Sequence, residues 1–583
     1  MACFSVLSSS LCNAEDRELH IRKVQIIKNL LILLCFLLPL QAFAADNDEI
    51  KESFPVEAQN QVLLDALYEA DITSIREAID LGLITCRELT EYYLERIEAY
   101  EDTFHCFITL CDNALEEADK RDAAIANGTA EGALFGIPIV VKDNIDYAGY
   151  PTTNGYSYYN AVPSESATVV QYLLDEGAII LGKTNMSADA QDAICSLSAF
   201  GIETFNAYNP ELASGGSSGG SAVAVSLNLC VAGLGTDTNV SLRYPSALNG
   251  CISLRPTVGL LDREGCEILN YSRDTPGAIT RNVTDQAIML DVMSGGETNY
   301  RENLNATALE GMRIGVLVEL SYPIDGSNDR KASELDDEIE LAFDNAITEL
   351  TACGAEVVPV SMPEVFNYSA YDTGGTYLRE QLYAGLEELM EENEISALIF
   401  PSYLHTPDYS VTERPAWVEG YAYICNCAKL SSISGAPELV LQIGTHSRGA
   451  GIGMEILSLR YNEQLLLDIA YSYTSQYDHR QAPETAPSLY GSGQEITLSA
   501  YIAQYRQQQM QAQELEVMAI ADLSADPESS EATQQDQGDA VFDFTSIQAS
   551  TDTKDGGALS LWIILPLLAI ELLIAFLLQR RRE

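Results

Sequence analysis

The sequence is poor in basic residues and in histidine, and each shortage excludes a class of function. Over 583 residues, 32 Lys and Arg stand against 86 Asp and Glu, which gives a formal net charge of −54. A surface this acidic repels phosphates, so we expect no nucleic-acid partner. None of the five histidines lies within metal-ligand spacing of another, so a zinc site of the HExxH kind is excluded. They are His20, His105, His405, His446 and His479.

Cysteine is present, but not in metal-binding patterns. None of the 13 cysteines belongs to a CxxC pair, and the spacing of Cys425 and Cys427 is one residue too tight for a zinc knuckle. We therefore expect no metal and no cofactor. Removal of the three N-terminal cysteines would leave ten of the 13, an even number that permits disulfides outside the cytosol. Free buried thiols are an equal alternative, most clearly for Cys230 and Cys251, which lie in apolar stretches.

The N-terminus has the parts of a secretory signal peptide. Basic residues from Arg22 onward precede an apolar run from Leu30 to Leu40, and Ala42-Phe43-Ala44 offers a cleavage site. We predict a signal peptide over residues 1–44 and a linker over residues 45–58. An uncleaved anchor is the alternative, although the apolar run is short for a membrane span.

The C-terminus predicts a membrane anchor. Residues 558–579 are almost continuously apolar, and a basic tail over residues 580–583 follows them. Basic residues after a span favour the cytoplasmic side, so this single-pass helix would place the body outside a cell membrane, as the signal peptide also does. Residues 516–557 are rich in Asp, Ser, Thr and Gln, which predicts a flexible acidic linker.

Between the linkers, residues 59–515 alternate between helical and strand patterns. Thr85 is a helix-capping candidate before a run in which apolar residues return at three- and four-residue steps. Short apolar, β-branched runs predict buried strands. This alternation indicates an α/β fold around a largely buried sheet. Predicted helices include 114–125, 169–175 and 335–350, and predicted strands include 136–143, 177–182, 312–318, 356–360 and 396–400.

Two features of residues 59–515 indicate a functional site. The run from Ser214 to Gly220 is rich in Gly and Ser, which is more often a loop, but a small-residue helical segment follows it directly. Lys142 ends an apolar strand, where a lone Lys is unusual. With these residues, the sequence resembles the amidase signature family from about Ser74 to Leu489. Further matching stretches are Gly136-Ile137-Pro138, Gly182 to Met186, Gly235-Thr236-Asp237, Leu254 to Thr257, Ser434 to Pro437 and Asn462 to Leu466.

The resemblance implies a fold, a reaction and a catalytic triad. The fold is a central mixed β-sheet covered by helices on both faces. The reaction is hydrolysis of the C–N bond of an amide, with Lys142 as base, Ser217 as the bridging serine after a cis peptide bond, and Ser241 as nucleophile. A Lys accepts a proton only when neutral, so burial should lower the pKa of Lys142, whereas Asp143 would raise it unless its carboxylate points elsewhere.

The resemblance also implies the residues around the triad. Backbone amides of Thr238, Asn239 and Val240 are the expected oxyanion hole. Supporting roles fall to three further residues, namely Ser218, Asp237 and Arg243. Asp237 and Arg243 should pair and hold the nucleophile turn, although an ordinary salt bridge is the equal alternative.

The sequence departs from the family in this turn, where Asn239 and Val240 replace two glycines. A β-branched Val with positive φ would be an outlier. Either position 240 needs no positive φ and Val narrows the acyl pocket, or the turn is deformed.

Three functions therefore remain open. The first is a membrane-anchored extracytoplasmic amidase that acts on a small-molecule or peptide amide. The second is a catalytically impaired, amidase-like binding protein. The third is the amide-transfer component of a tRNA-dependent amidotransferase, which the signal peptide, the anchor and the charge of −54 oppose. Substrate identity and oligomeric state are open.

Overall fold

A mixed β-sheet of eleven strands forms the centre of the fold in the computed structural model, which describes residues 56–158, 161–318, 336–362, 375–404, 430–491 and 496–524. The strand order is β1-β3-β2-β6-β8-β7-β12-β13-β11-β9-β10. The strands are β1 Phe107–Leu110, β2 Pro138–Lys142, β3 Ile179–Thr184, β6 Ala232–Asp237, β7 Ile252–Arg255, β8 Thr275–Thr280, β9 Arg313–Leu317, β10 Glu356–Val360, β11 Ala397–Pro401, β12 Glu438–Thr445 and β13 Gly451–Leu457; β4 Ser196–Leu197 and β5 Glu203–Thr204 form a separate pair.

Helices alternate with these strands along much of the chain, which confirms the predicted α/β class. Among the described residues they are α1 Val56–Ala66, α2 Ile72–Asp80, α3 Cys86–Phe104, α4 Ala114–Ala126, α5 Thr168–Asp175, α6 Gly219–Ser226, α7 Arg243–Leu248, α8 Val283–Met293, α9 Asp337–Ala352, α10 Gly375–Glu392, α11 Leu430–Ser434, α12 Glu463–Thr474 and α13 Leu498–Ser524. Thr85 is the N-cap of α3 and forms a capping box with Glu88, as its position predicts.

The sheet combines parallel and antiparallel pairing. Strand β2 runs parallel to β3 and β6, and β9 runs parallel to β10 and β11. The pairs that join these two groups through β8, β7, β12 and β13 are antiparallel. Every residue of β2, β3 and β6 is buried, which explains the apolar and small residues that fill the first part of each strand.

The chain divides into two compact units, Met1–Gln511 and Ala512–Glu583, and the sheet belongs to the first. Helix α13 continues to Ser524, so the first residues of the predicted linker at 516–557 are helical instead of flexible. Its Gln, Glu, Met, Ala and Leu residues are strong helix formers and extend the helix beyond the point that acidic composition suggested. Likewise, α1 begins at Val56, inside the predicted linker at 45–58.

The predicted membrane segments lie outside the described residues. They are the signal peptide at 1–44, the span at 558–579 and the tail at 580–583. In the described ranges, no helix has the length and apolar character needed to cross a membrane.

The described cysteines carry free thiols. They are Cys86, Cys106, Cys111, Cys195, Cys230, Cys251, Cys266 and Cys353. For Cys230 and Cys251, the alternative of buried free thiols is therefore confirmed. Cys425 and Cys427 lie outside the described residues.

Candidate active site

The parallel pairing of β2 and β6 brings the main site residues together. Val141 of β2 pairs with Leu234 of β6, and the two strands end at Lys142 and Asp237. Because parallel strands end at the same edge of a sheet, their last side chains and the loops that follow share one location. Ser241 lies in the loop between β6 and α7, at this edge.

Lys142 is wholly buried and hydrogen-bonded to two hydroxyl groups. Its Nζ donates to Ser217 Oγ at 2.7 Å and to Thr236 Oγ1 at 2.9 Å. Burial lowers the pKa of Lys142 to about 7, and the negative charges of Asp237 and Asp274 oppose this shift. The predicted lowering of the pKa is confirmed, so a large fraction of Lys142 is neutral near pH 7.

The carboxylate of Asp143 points away from Lys142. Its Oδ2 accepts hydrogen bonds from Thr153 Oγ1 and from the backbone N–H of Thr153 at 3.2 Å. Its Oδ1 lies 3.7 Å from Lys183 Nζ, and both side chains are fully buried. A second lysine thus binds the acid that follows Lys142 in the sequence. The sequence left open whether the carboxylate of Asp143 points toward Lys142, and this contact shows that it points toward Lys183 instead.

Ser217 lies in a tightly packed loop before α6. The Gly216–Ser217 peptide bond is cis, as the resemblance implies. A Cβ at Gly216 would lie 2.5 Å from Asp192 O, and one at Gly235 would lie 2.8 Å from Ser218 Oγ. Glycine is required at both positions because any larger residue would push this loop away from the sheet.

Ser218 connects this loop to the nucleophile. Its Oγ donates to Thr236 O at 3.2 Å, and its backbone N–H donates to Ser241 O at 3.3 Å. Ser241 is 6% exposed, and no hydrogen bond joins its side chain to that of Ser217 or of any other described residue. The structure therefore joins Lys142 to Ser217 directly, and the backbone of the next residue, Ser218, binds the backbone of Ser241.

This chain is similar to known proteins both in sequence and in fold. The amidase family model matches residues 88–372. The glutamyl-tRNA(Gln) amidotransferase A-subunit of Synechococcus sp. (strain WH7803) is 36% identical over 304 residues, 50% of this chain and 60% of that protein. The A-subunit of the same enzyme from Thermosynechococcus vestitus is 38% identical over 288 residues, 47% of this chain and 58% of that protein. The match thus spans about 60% of these relatives.

Solved structures match a larger share of the chain. Native peptide amidase from Stenotrophomonas maltophilia has a TM-score of 0.61 and 25% identity, and the match covers 72% of this chain and 99% of that one. Residues 88–372 of the chain therefore form an amidase-signature domain. The A-subunit of the Thermotoga maritima glutamyl-tRNA(Gln) amidotransferase, at 22% identity and a TM-score of 0.58 over 69% of this chain and 95% of that one, shares the fold.

In this amidase-signature domain, the turn at Thr238 to Ser241 accommodates its unusual residues without strain. Neither Asn239 nor Val240 has a positive φ. Val240 is 2% exposed and belongs to the hydrophobic core, and Thr238 is also buried. The backbone N–H groups of the predicted oxyanion hole, Thr238, Asn239 and Val240, and that of Ser241 donate to no described residue, which leaves them available to an oxyanion. Of the two alternatives for position 240, the structure has the one in which Val240 adopts an ordinary φ.

The predicted pair of Asp237 and Arg243 is present within a larger buried network. Arg243 Nε lies 3.2 Å from Asp237 Oδ2, and the Leu242 N–H donates to the same oxygen at 3.2 Å. Arg243 Nη2 also donates to Asn239 O. The guanidinium therefore binds two residues, Asp237 and Asn239, that precede Ser241 in the chain.

Sequence reasoning missed the partners that approach from other strands. Thr236 accepts from Lys142 and, at 3.0 Å, from Asn144 Nδ2. Arg255 lies 3.0 Å from Asp237, and Glu438 and Glu455 contact Arg243. Charged residues inside otherwise apolar strands were the available signal for Glu438 and Glu455. Among the described residues, no group of His, Cys, Asp or Glu is arranged to hold a metal ion.

Proposed function

We propose that this chain is an amidase that hydrolyses the C–N bond of an amide through an acyl-enzyme on Ser241. The observation that carries the proposal is the 2.7 Å contact between Lys142 Nζ and Ser217 Oγ, made by a buried lysine with a pKa of about 7. A serine hydroxyl needs a base to become a nucleophile, and a neutral lysine that acts through a second hydroxyl supplies one.

The proposed reaction starts with two coupled proton transfers. Ser217 gives its proton to neutral Lys142 and takes the proton of Ser241, whose Oγ attacks the amide carbon. The negative oxygen of the tetrahedral intermediate lies against the free N–H groups of Asn239, Val240 and Ser241. The C–N bond then breaks as the proton held by Lys142 returns through Ser217 to the leaving nitrogen. Water attacks the ester by the same route and releases the acid.

Peptide amides are the first substrate class to test, because a peptide amidase is among the structural neighbours with the highest coverage, at 99% of its own chain. Small-molecule amides are the second class. Either class suits a neutral buried lysine and a hydroxyl nucleophile, and no metal or cofactor takes part in the proposed steps.

We propose that the enzyme works outside the cytoplasm, attached to the cell membrane. The support is in the sequence alone: a signal peptide at 1–44 and a single-pass span at 558–579, with a basic tail at 580–583 on the cytoplasmic side. Protease treatment of intact cells should digest the body and spare the tail. Protection of the body from protease in intact cells would contradict this location.

A second candidate has direct support from the relatives, several of which are A-subunits of a glutamyl-tRNA(Gln) amidotransferase. That function would require contact with RNA, which a net charge of −54 opposes. A catalytically impaired binding protein is the third candidate. Its main argument, a deformed turn, loses force because neither Asn239 nor Val240 has a positive φ.

The proposal is tested by release of ammonia from a panel of peptide amides and simple carboxamides, using the full-length protein. We expect turnover by the wild type and loss of turnover in Ser241→Ala. Ser246→Ala is the matched control, because Ser246 is a buried serine on the adjacent helix whose hydroxyl has no hydrogen-bond partner among the residues that the structure describes. Equal turnover by Ser241→Ala and the wild type would contradict the assignment of the nucleophile.

A further inference from the structure

Five charged side chains lie fully buried beneath the nucleophile turn. They are Asp237 at the end of β6, Arg243 at the start of α7, Arg255 at the end of β7, Glu438 at the start of β12 and Glu455 on β13. The side chain of each has 0% exposure. Three carboxyl groups thus face two guanidinium groups where solvent cannot compensate an excess charge.

Arg243 is the centre of this cluster. Its Nη1 lies 2.9 Å from Glu438 Oε2 and 3.4 Å from Glu455 Oε2, while its Nε lies 3.2 Å from Asp237 Oδ2. Its Nη2 donates to the backbone carbonyl of Asn239. The same guanidinium therefore links the two glutamates to the turn that precedes Ser241.

The two glutamates are neighbours across an antiparallel pair of strands. Glu438 of β12 pairs with Leu457, and Val440 pairs with Glu455, so Glu438 and Glu455 are diagonal neighbours on one face. Both approach the same nitrogen of Arg243. The 2.9 Å contact of Glu438 with Arg243 Nη1 is an ion pair, and a side-chain hydrogen bond brings the carboxyl groups of Glu438 and Glu455 together.

Within these five side chains, the charges balance when this pair keeps one proton. Two guanidinium groups contribute +2 and Asp237 contributes −1, so one ionised glutamate makes the cluster neutral and two leave an uncompensated buried charge. Burial raises the pKa of Glu438 well above its usual value; Glu455 and Asp237 raise it further, and Arg243 opposes them. Arg255, on the neighbouring strand, faces Asp237 and also the carboxylate of Asp274, which lies outside these five side chains.

We propose that Glu438 and Glu455 are positioning residues that share one proton and hold Arg243 in place, so that Arg243 fixes the carbonyl of Asn239 and orients the turn of Ser241. One carboxylate anchors the guanidinium, and the protonated partner fills the space without adding charge. The arrangement keeps the turn in position in a chain that has Asn239 and Val240 where its family usually has two glycines.

The first test measures how many protons the protein releases on unfolding, and it does not require catalytic activity. A pKa raised in the folded state means that the folded protein holds a proton that the unfolded chain releases, and the resulting stability is lost as the pH rises through the folded pKa. Between pH 5 and 8, the unfolding free energy of the wild type should fall with pH more steeply than that of Glu438→Gln, by the equivalent of about one proton. Glu455→Gln should behave like Glu438→Gln, because each variant leaves a neutral cluster without a shared proton.

The matched control is Glu463→Gln. Glu463 is a buried glutamate on α12 that accepts from the Thr257 N–H at 2.8 Å and is not part of the arginine cluster. Its substitution should leave the proton count of the wild type unchanged. A wild-type proton count in Glu438→Gln or in Glu455→Gln would overturn the proposal.

The second test uses activity and rests on the proposed function. Each single Gln variant should keep kcat/KM within about tenfold of the wild type, whereas the double variant leaves Arg243 without a carboxylate from this pair and should lose far more than the product of the single losses. Single variants as impaired as the double variant would contradict a shared proton. Because the proton count is measured by unfolding, an inactive wild type would refute the proposed function and leave the proton test intact.

Discussion

Lys142 Nζ lies 2.7 Å from Ser217 Oγ in a fully buried site, and this contact makes the two residues a single functional unit. Groups that act as a unit give losses that do not add. We predict that Lys142→Ala and Ser217→Ala each lower kcat about 10²–10⁴-fold. The double variant should be no worse than the poorer single variant. Losses that multiply in the double variant would contradict a relay through both residues.

Because Lys142 must be neutral to accept a proton, activity should depend on pH in one direction. With a pKa of about 7, kcat/KM should rise about tenfold per pH unit below pH 7 and level off above it. The profile is measured with the best amide of the panel. A half-maximum near pH 10 would show that the lysine keeps its solution pKa and that burial does not act as described.

Thr236→Val removes the hydroxyl that accepts from both Lys142 Nζ and Asn144 Nδ2. An acceptor stabilises the charged form of the lysine, so its loss should shift the rising limb of the pH profile to lower pH. Thr236→Ser keeps the hydroxyl and should restore the wild-type profile. A lower rate with an unshifted limb in Thr236→Val would leave Thr236 with a packing role alone.

Val240→Gly should not improve the enzyme. Val240 is 2% exposed in the core and has no positive φ, so glycine relieves no strain and removes packing. We expect a loss of about 2–3 kcal/mol in the free energy of unfolding, with kcat/KM no higher than that of the wild type. The free energy of unfolding of Val240→Ala should lie between those of the wild type and Val240→Gly. Urea unfolding and the amide assay measure both quantities, and a large gain in rate would indicate a deformed turn.

Lys183→Met leaves the buried carboxylate of Asp143 without the cation that lies 3.7 Å from it. Breaking a buried ion pair on one side typically costs about 3–5 kcal/mol, and we expect a loss near the lower limit because Thr153 also binds Asp143. The double variant with Asp143→Asn should recover part of this stability. Arg76→Met, which removes a more exposed pair with Asp80, is the control and should lose much less. Equal losses in Lys183→Met and Arg76→Met would contradict a structural ion pair.

Local patterns predicted several helices and strands, and the resemblance to the amidase signature family supplied the triad candidates. Strand β10 occupies the predicted residues 356–360, and Thr85 caps α3, because these features depend on neighbouring residues. The contacts around the site depend instead on strand order and register. Glu438 is nearly two hundred positions from Arg243 in the sequence, and only the pairing of β7 with β12 brings it to the nucleophile turn. Such contacts have no local signature.

The most direct test of the account is covalent labelling of the full-length protein with a fluorophosphonate serine probe, followed by mass spectrometry of the labelled peptide. We predict that the label lies on Ser241 and that Lys142→Ala and Ser217→Ala abolish it, whereas Ser226→Ala, a buried serine at the end of α6, retains it. Folded wild-type protein that stays unlabelled, or that carries the label on another serine, would contradict the claim that Lys142 and Ser217 activate Ser241.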